Sequence, residues 1–371
     1  MKVLVAGGGT GGHFYPALSV MKKIKEVPGN HRISYLGTGS GLESKVAPSY
    51  DWLDFKTVTV TGLSRNSLLG FLRGLALLPV GLIQTFFIIR RLKPDLIYGT
   101  GGYTTFPPAF WGVILRIPVV IHELNLKPGI TNRVIARFAT RVLLSHPEAK
   151  RFLPASHLEV TGAPVREEIR EENSNPDPRN FGLKKDLPII LVFGGSRGSR
   201  ILSEKLLEEL EETDDLEDIP FQLLIQIGRE KFPRLEKKLQ SLKTNKVSVV
   251  EYIEDMGSAY SLSDLVICRG GAGTMAELIA ARKPAIIVPW KGASENHQYW
   301  NAKLLEEKGA ALLVKEKDWP EYPLLDTLTE VVTSKENLAE LSDNYRKFGD
   351  KNGSDNVIDV FKDIINKGET C

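Results

Sequence analysis

Short apolar runs recur along the whole chain, and most of them are followed by glycine and then by a segment with helical spacing. Such runs predict strands at residues 2–6, 33–36, 55–60, 96–99, 119–122, 141–144 and 158–161. Further strands are predicted at residues 188–193, 221–226, 247–251, 265–268, 285–289 and 311–314. Strands that alternate with helices predict an α/β fold with parallel sheets covered on both faces, formed twice.

The two groups of strands are separated by residues 162–187, where the periodicity stops and polar residues, Pro and Gly are frequent. This segment indicates a connection between domains. A chain of 371 residues also exceeds the comfortable size of one core, so we expect two domains, at residues 1–164 and 165–371. Ligands of such folds bind at the carboxyl ends of the strands, and we expect the site in the cleft between the domains.

Composition limits the protein class only moderately. Apolar residues at 42% and charged residues at 25% are ordinary for a globular protein, which sets aside disordered and fibrous classes. Two cysteines indicate no disulfide framework and favour a reducing compartment such as the cytoplasm. Glycines interrupt the first apolar run after Ala6, so no secretory signal is expected. The most apolar long stretch, residues 74–89, falls short of the roughly 20 residues of a spanning helix, and no transmembrane helix is predicted.

Charge is distributed unevenly between the two halves of the chain. Residues 1–165 contain 19 Lys and Arg against 8 Asp and Glu, an excess of 11 positive charges, whereas the rest contains 29 against 38. A basic first half favours an anionic lipid surface or a pyrophosphate as partner. Nucleic acid is the competing partner, and we expect none, because no tight Lys and Arg cluster is interleaved with aromatic residues.

A glycine-rich segment directly follows the first predicted strand. Gly7, Gly9 and Gly12 match the GxGxxG pattern of dinucleotide sites. A site for NAD also needs an acidic residue at the end of the second strand, where this chain has residues 37–40, Gly-Thr-Gly-Ser. Of the two features of an NAD site, this chain has the glycine pattern but not the acidic residue, which argues against an oxidoreductase. The glycines still allow backbone amides to converge at a helix N-terminus and bind an anion, although a tight strand-to-helix turn explains an isolated case equally simply.

Similar segments follow strands at residues 99–103, 194–198 and 270–274, and this recurrence in both halves favours a function in binding phosphorylated ligands. Individual polar residues remain ambiguous at this point. Thr274 and Glu277 have the spacing of a capping box, and His13 is either a general base or an ordinary residue at a helix start. Asn125, Arg166 and Gln298, taken one at a time, are typical of solvated surface positions.

Eight segments, in this order and spacing, resemble the MurG family of peptidoglycan UDP-N-acetylglucosamine transferases: AGGGTGGHFYPA, GTGGYTTFPPAF, HELNLKPGITNRVIARFA, TGAPVREEI, VFGGSRGSRILSE, EYIEDM, CRGGAGTMAELIAARKPAIIVP and ENHQYWNAKLLEEKGAA. The resemblance runs from Met1 to about Val314 and is specific as an ordered set. Ala163 and Leu124 depart from the family's usual asparagine and glutamine, which leaves fine acceptor contacts open.

The resemblance implies a GT-B fold of two Rossmann-like domains, with the acceptor on the first and UDP-N-acetylglucosamine mainly on the second. A helix at about residues 355–366 is expected to pack back on the first domain. The acceptor would be undecaprenyl-linked lipid I, and the enzyme would attach peripherally to the cytoplasmic face of the membrane. The donor-site positions of the family correspond here to Thr10, Gly11, Gly12, Asn125, Arg166, Ser196, Ile253, Ala272, Gly273, Thr274, Met275, Ala276, Glu277 and Gln298.

In the family, the residue at Ile253 contacts uracil through its backbone, that at Ser196 lies near the phosphates, and that at Glu277 holds the ribose. His13 is the candidate catalytic base or a contact of the acceptor pyrophosphate. The expected reaction is inverting transfer to the 4-hydroxyl of the muramyl sugar. Because the chain has no Asp-x-Asp motif, we expect no metal and no cofactor, with loop amides, helix dipoles and Arg166 stabilising the departing diphosphate.

Two alternatives stay open at the level of sequence, namely another lipid acceptor such as diacylglycerol and a nucleotide-sugar-binding protein without turnover. Membrane contact is expected between residues 68 and 89. The apolar candidates are Phe71, Leu72, Leu75, Leu78, Leu82, Phe86 and Phe87, and the nearby cations are Arg65, Arg73, Arg90, Arg91 and Lys93. Packing in an ordinary core would account for most of these apolar residues, leaving a smaller exposed subset for lipid.

Overall fold

The computed structural model describes residues 1–9, 11–62, 67–153, 157–170, 176–195, 198–228, 232–242, 244–349 and 352–370. The chain forms two compact units. Unit 1 comprises Met1–Val165 and Lys351–Cys371, and unit 2 comprises Arg166–Asp350. The sequence placed the boundary one residue earlier and counted residues 165–371 as the second domain, with a helix at about residues 355–366 expected to pack back on the first.

Each unit is built on its own parallel sheet. The sheet of unit 1 has the strand order β3-β2-β1-β4-β5-β6-β7, and that of unit 2 has the order β10-β9-β8-β11-β12-β13. The strands are β1 Lys2–Ala6, β2 Arg32–Gly37, β3 Leu53–Thr57, β4 Leu96–Gly99, β5 Val119–Glu123, β6 Arg141–Leu144, β7 Leu158–Val160, β8 Ile189–Phe193, β9 Gln222–Gln226, β10 Val247–Val250, β11 Leu265–Cys268, β12 Ala285–Ile287 and β13 Ala311–Leu313.

Helices connect the strands in both units. They are α1 Gly11–Glu26, α2 Glu43–Val46, α3 Leu68–Leu92, α4 Phe106–Leu115, α5 Ile130–Ile135, α6 Glu167–Arg170, α7 Arg200–Glu212, α8 Pro233–Gln240, α9 Met256–Leu262, α10 Ala272–Ala281, α11 His297–Glu307, α12 Leu324–Thr333, α13 Lys335–Asn344 and α14 Gly353–Lys367. The predicted α/β class with two parallel sheets is confirmed.

All the predicted strands are present, and the largest difference concerns the third. It was predicted at residues 55–60 but runs from Leu53 to Thr57. Val58 lies past the end of the strand and is buried in the cluster that Ile89 of α3 forms with the face of the sheet. Val60 approaches α3 so closely that a Cβ placed on Gly81 would lie 2.1 Å from its Cγ1. These valines are apolar because they pack against a helix, which the run of residues alone does not distinguish from a strand.

The carboxyl-terminal helix α14 completes unit 1. Val357, Phe361 and Ile364 lie in one buried cluster with the apolar face of α1 and the strands beneath it. At its first residue, a Cβ on Gly353 would lie 2.3 Å from the carbonyl group of Ala163, so the backbones meet directly. Asn356 then donates from Nδ2 to the carbonyl oxygen of Thr161 at 2.7 Å. Packing and hydrogen bonding together therefore fix this segment on unit 1.

Helix α3 is longer than the sequence suggested. It has 25 residues because the Ser67 Oγ caps its start, accepting from the Gly70 amide at 3.1 Å, and it continues to a left-handed residue at Lys93. In the described part of the chain, α3 is the one helix that is long enough and apolar enough to cross a membrane. The expectation that this stretch is too short is therefore wrong. Only 22% of its most apolar window is buried, and the rest of that window is half-buried or exposed on unit 1.

Candidate active site

The four glycine segments lie at the carboxyl ends of adjacent strands. We call residues 7–12, 99–103, 194–198 and 270–274 the first, second, third and fourth glycine loops. The first and second follow β1 and β4, which are neighbours in unit 1, and the third and fourth follow β8 and β11, which are neighbours in unit 2. At both places the strand order reverses direction, which is where doubly wound sheets bind ligands. Each unit therefore presents one pair of loops at its own switch point.

Two close backbone approaches explain why these loops need glycine. Gly102 has a φ of 78°, and a Cβ there would lie 2.7 Å from the carbonyl oxygen of Gly8, so the two loops of unit 1 touch through their backbones. Gly198 has a φ of 86°, and its Cβ would lie 1.6 Å from the carbonyl oxygen of Ile227. Any other residue at either position would force the loops apart.

His13 is fixed against the second glycine loop. Its Nδ1 lies 2.9 Å from the carbonyl oxygen of Thr100, and the Thr100 hydroxyl donates back to the His13 carbonyl oxygen at 2.9 Å. Because a carbonyl oxygen only accepts, Nδ1 carries the hydrogen and the lone pair of the neutral ring is on Nε2. A Cβ on Gly101 would lie 3.1 Å from the ring, so glycine also makes room for it. The contacts with Thr100 and Gly101 therefore fix the orientation of the His13 ring.

Asn125 is held by a buried carboxylate and is not a solvated surface residue. Its backbone N–H and its Nδ2 both donate to Glu123 Oε1, at 2.9 and 3.0 Å. The other oxygen, Oε2, accepts from Asn132 Nδ2 at 2.9 Å. Burial raises the pKa of Glu123, and the hydrogen bonds from Asn125 and Asn132 act in the opposite direction. Glu123 and Asn132 were missed, although a polar residue ending a buried strand is a usable signal.

His122, next to Glu123, is fully buried at the end of β5. Its Nδ1 lies 3.0 Å from the Tyr98 hydroxyl. Burial lowers the pKa of His122 to about 3, an effect opposed by the backbone of Gly162 and reinforced by His146. The imidazole is therefore neutral at physiological pH and serves as an uncharged bridge between strands.

We expect this residue to make unit 1 sensitive to acid. In the unfolded chain His122 takes up a proton as pH falls through about 6.5, whereas in the folded chain it does so only near pH 3. Its contribution to stability is thus complete above pH 6.5 and is lost as pH falls toward 3, by at most ~1.4 kcal/mol per pH unit. Urea unfolding between pH 6.5 and 4.5 should show this slope in the wild type and a smaller one in His122→Gln. Equal slopes would contradict the assignment.

Unit 2 contains a buried ionic cluster around Glu277. Arg166 donates to Glu277 Oε1 from Nη2 at 2.8 Å and from Nε at 3.3 Å, and both side chains are 14% exposed. The Tyr260 hydroxyl donates to Glu277 Oε2 at 3.1 Å. Burial acts to lower the pKa of Arg166, but the Glu277 carboxylate outweighs it and the net pKa is raised. Both oxygens of Glu277 are therefore oriented by neighbours, and Arg166 is not a solvated surface residue.

The capping-box interpretation of Thr274 and Glu277 is wrong. Helix α10 begins at Ala272, and its N-cap is Gly271, which makes no side-chain capping bond. Thr274 thus lies inside the first turn, and Glu277 reaches Arg166 instead of the helix start. The run from Ala272 to Glu277 divides by burial, because Met275 and Ala276 are buried while the other four are half-exposed. The side chains of those two residues therefore belong to the core of unit 2.

Among the remaining donor-site candidates, Gly11 and Gly12 begin α1 in unit 1, whereas Ile253 and Gln298 lie near the third and fourth glycine loops. Ile253 is buried and its amide donates to Gln226 Oε1 at 3.0 Å. Gln298 accepts from the Trp290 amide at 3.0 Å, and a Cβ on Gly270 would lie 2.3 Å from the Gln298 carbonyl oxygen. The start of α11 therefore packs directly on the fourth loop. Thr10, Ser196 and Arg65 lie outside the described residues.

The sequence interpretation missed a second buried ion pair near these loops. Arg269 Nη2 lies 2.8 Å from Glu316 Oε1, and Arg269 Nε donates to the Ser199 hydroxyl at 3.0 Å. Its Nη1 donates to the carbonyl oxygen of Val288. One guanidinium thus connects the end of the third loop with the ends of β12 and β13. No local pattern marks this role, because the partners are distant in sequence.

Comparison with known proteins assigns the family. The N-terminal domain of glycosyltransferase family 28 matches residues 3–144, and the C-terminal domain of that family matches residues 189–357. The UDP-N-acetylglucosamine–N-acetylmuramyl-(pentapeptide) pyrophosphoryl-undecaprenol N-acetylglucosamine transferase of Acetivibrio thermocellus is 33% identical over 366 residues, covering 98% of each chain. Its counterpart in Carboxydothermus hydrogenoformans is 36% identical over 352 residues, 94% of this chain and 93% of the relative. The chain belongs to the MurG family.

Solved structures agree with the family and the fold. The crystal structure of Acinetobacter baumannii MurG is 28% identical, has a TM-score of 0.74, and is matched over 98% of this chain and 99% of that one. The calicheamicin glycosyltransferase CalG4, at 14% identity and a TM-score of 0.69 over 98% of each chain, shares the fold alone. The predicted GT-B fold and MurG resemblance are confirmed. MurG members are membrane-associated N-acetylglucosaminyltransferases of peptidoglycan synthesis that form lipid II, so the oxidoreductase interpretation is wrong.

Proposed function

We propose that the chain transfers N-acetylglucosamine from UDP-N-acetylglucosamine to the 4-hydroxyl of the muramyl sugar of undecaprenyl-linked lipid I, giving lipid II and UDP. The observation that carries the proposal is the match of 33% identity over nearly the full length of a curated transferase with this activity in its name. The paired glycine loops in each unit support it, since both substrates carry a diphosphate.

We propose that unit 2 holds the donor. The ribose hydroxyls would donate to Glu277, whose carboxylate is already oriented by Arg166 and Tyr260. The diphosphate would lie at the start of α10, where helix amides and the helix dipole favour negative charge. As the glycosidic bond breaks, these groups stabilise the charge on departing UDP.

We propose that unit 1 binds the acceptor and that His13 is the general base. The acceptor 4-hydroxyl attacks the anomeric carbon opposite UDP, the carbon–oxygen bond to UDP breaks, and His13 Nε2 takes the hydroxyl proton. Attack from the opposite face gives inversion. The hydrogen bond from Nδ1 to the Thr100 carbonyl oxygen supports this role, because it fixes the tautomer that a base requires.

We propose that unit 1 contacts the cytoplasmic face of the membrane peripherally through α3 and its neighbours. Core packing does not account for most of the predicted apolar residues. Phe87 is 66% exposed, and α3 also exposes Leu68, Leu69 and Ile83, at 76%, 82% and 59%. The predicted residues Phe71, Leu72 and Leu75 are also exposed, whereas Leu78, Leu82 and Phe86 are half-buried. The cations Arg73, Arg90, Arg91 and Lys93 are exposed around them. Lipid contact would cover this apolar area.

Anchoring contacts favour a helix that lies on the membrane over one that crosses it. Gln84 is hydrogen-bonded twice to Thr59, at 2.7 and 3.2 Å, and Trp111 Nε1 donates to the Leu82 carbonyl oxygen at 2.8 Å. A helix that crossed the bilayer would lose these hydrogen bonds and the contact between Gly81 and Val60.

A second surface of unit 1 could also bind anionic headgroups. It is a cavity of about 540 Å³ near α5 with a basic and apolar lining, formed by Ile130, Arg133, Val134, Arg137, Arg151, Phe152 and Leu153.

The double variant Ile83→Glu, Phe87→Glu should lower the fraction bound to anionic phospholipid vesicles by ~10-fold or more. Each large apolar side chain withdrawn from lipid costs about 1.5–3 kcal/mol, and the new charges repel anionic headgroups. Cosedimentation at low and high salt measures this. Ile201→Glu, which alters a 37% exposed apolar residue on α7 of unit 2, is the matched control. Vesicle binding that both variants leave intact would rule out this surface.

One assay tests the proposed reaction. Labelled UDP-N-acetylglucosamine or UDP-glucose is incubated with a lipid I analogue or with diacylglycerol, and labelled lipid and free UDP are measured. We expect product only from UDP-N-acetylglucosamine with the lipid I analogue, and equal turnover with EDTA or magnesium. Product with diacylglycerol alone would overturn the acceptor assignment, and restoration of EDTA-treated enzyme by magnesium would overturn metal independence.

A further inference from the structure

Gln226 is a buried amide at the carboxyl end of β9 that hydrogen-bonds two separate segments of unit 2. It is 3% exposed. Its Oε1 accepts from the Ile253 amide at 3.0 Å, and its Nε2 donates to the carbonyl oxygen of Gly195 at 3.1 Å. These partners are 27 and 31 residues away along the chain. One side chain therefore fixes the distance between the third glycine loop and the segment after β10.

These two segments correspond to different parts of one ligand. In the proposed donor site, the diphosphate at the start of α10 also faces the third glycine loop, because the third and fourth loops follow the neighbouring strands β8 and β11. The resemblance to the family implies that Ile253 lies beside the uracil. Gly195 has a φ of 84°, so its carbonyl points where an ordinary strand end would not place it. The amide of a glutamine side chain carries a hydrogen-bond donor and an acceptor in one plane. It can therefore bind a backbone carbonyl group on one side and a backbone N–H group on the other.

We propose that Gln226 is a positioning residue for the donor, which sets the spacing between the base-binding segment and the diphosphate loop. This inference rests on the proposed function. It adds the residue that aligns the two segments of the donor site with each other. The role differs from ligand contact, since both polar ends of Gln226 are already used by backbone groups. It predicts that Gln226 matters for ligands that span both segments and matters little for ligands that touch one.

The chain contains a matched control on the same strand. Gln222 is fully buried at the opposite, amino end of β9. Its Oε1 accepts from the Lys184 amide at 2.7 Å, and its Nε2 donates to the Lys184 and Leu187 carbonyl oxygens at 2.9 and 3.3 Å. It thus has the same residue type, burial and kind of partners, but lies at the sheet edge away from the glycine loops.

The experiment compares Gln226→Glu and Gln226→Leu with Gln222→Glu and Gln222→Leu. The Glu variants keep the acceptor and lose the donor, and the Leu variants lose both. Thermal midpoints, kcat, the KM for UDP-N-acetylglucosamine, and inhibition constants for uridine and UDP are measured for each. We expect the Gln226 variants to raise the KM and the UDP inhibition constant by ~10-fold, the factor for one lost buried hydrogen bond, with kcat and uridine inhibition within about threefold.

The Gln222 variants should lower the thermal midpoint comparably and leave both constants for the nucleotide within about twofold. Gln226 variants with an unchanged KM and only a lower thermal midpoint would overturn the proposal, as would an equal loss for uridine and UDP. Wild-type protein that neither binds UDP in calorimetry nor transfers sugar would instead contradict the proposed function. The two failures are therefore distinguishable.

Discussion

Replacing His13 by Ala is expected to lower kcat on the order of 100-fold or more, with little change in the KM for UDP-N-acetylglucosamine. General base catalysis contributes about that factor, and the lone pair on Nε2 is the proton acceptor that Ala removes. We expect the loss in kcat and not in KM, because the base takes the proton only in the transition state and does not hold the bound donor. Steady-state kinetics with a lipid I analogue at saturating donor measure it directly.

His13→Asn separates the base from its structural contacts. The Asn amide still offers a donor to the Thr100 carbonyl oxygen, which His13 Nδ1 reaches at 2.9 Å, but it supplies no base. We expect Asn to be as inactive as Ala. His157→Ala, an exposed residue ahead of β7, should retain full activity. An unchanged kcat in both His13 variants would contradict the assignment of His13 as general base. If only the KM for the acceptor rose, His13 would instead be assigned to binding of the acceptor pyrophosphate.

Replacing Glu277 by Gln is expected to reduce kcat/KM for UDP-N-acetylglucosamine by about 100-fold, chiefly through KM. Hydrogen bonds to a charged group contribute about 1.5–3 kcal/mol, and the ribose is remote from the bond that breaks. The substitution also leaves Arg166, which is 14% exposed, without its carboxylate. Kinetics and calorimetric titration with UDP should therefore show weaker binding with a smaller change in kcat.

Glu209→Gln is the matched control for the loss of a partly buried carboxylate. Glu209 is 15% exposed, pairs with Lys205 at 2.8 Å, and accepts from the backbone amides of Leu324 and Leu325. It lies in unit 2 but away from the glycine loops. We expect it to lower the thermal midpoint without altering the KM. A KM that responds equally to both variants would show that general destabilisation, and not ribose binding, explains Glu277.

Most of the fold was predictable because a buried parallel strand is a local feature of sequence. Runs such as residues 3–6 and 189–193 are apolar over their whole length, since both faces of the sheet are covered. The exceptions have one cause. Val58 and Val60 are apolar because of α3, and the length of α3 depends on a cap at Ser67 and on packing that tolerates Pro79. Contacts between distant segments determine both the apolar character of these valines and the length of α3. A short stretch of sequence does not contain those contacts.

The glycine loops were predictable for the same reason, because a glycine with positive φ is required locally by its turn. The groups that orient the ligands were not. Tyr260, Gln226 and Arg269 act through partners 17, 27 and 70 residues away, and each reads as an ordinary core or strand residue. Glu277 shows the limit most clearly, since its spacing from Thr274 fits a helix cap while its contacts are with Arg166 and Tyr260.

The discontinuity of unit 1 has a consequence for how the chain is made. The ribosome produces Met1–Val165 first, but the face of α1 that receives Val357, Phe361 and Ile364 stays uncovered until the last segment emerges. Unit 2 has all its residues by Asp350. The first unit to be synthesised is therefore the second to be finished, and an apolar helix face that waits for its covering segment is prone to aggregation.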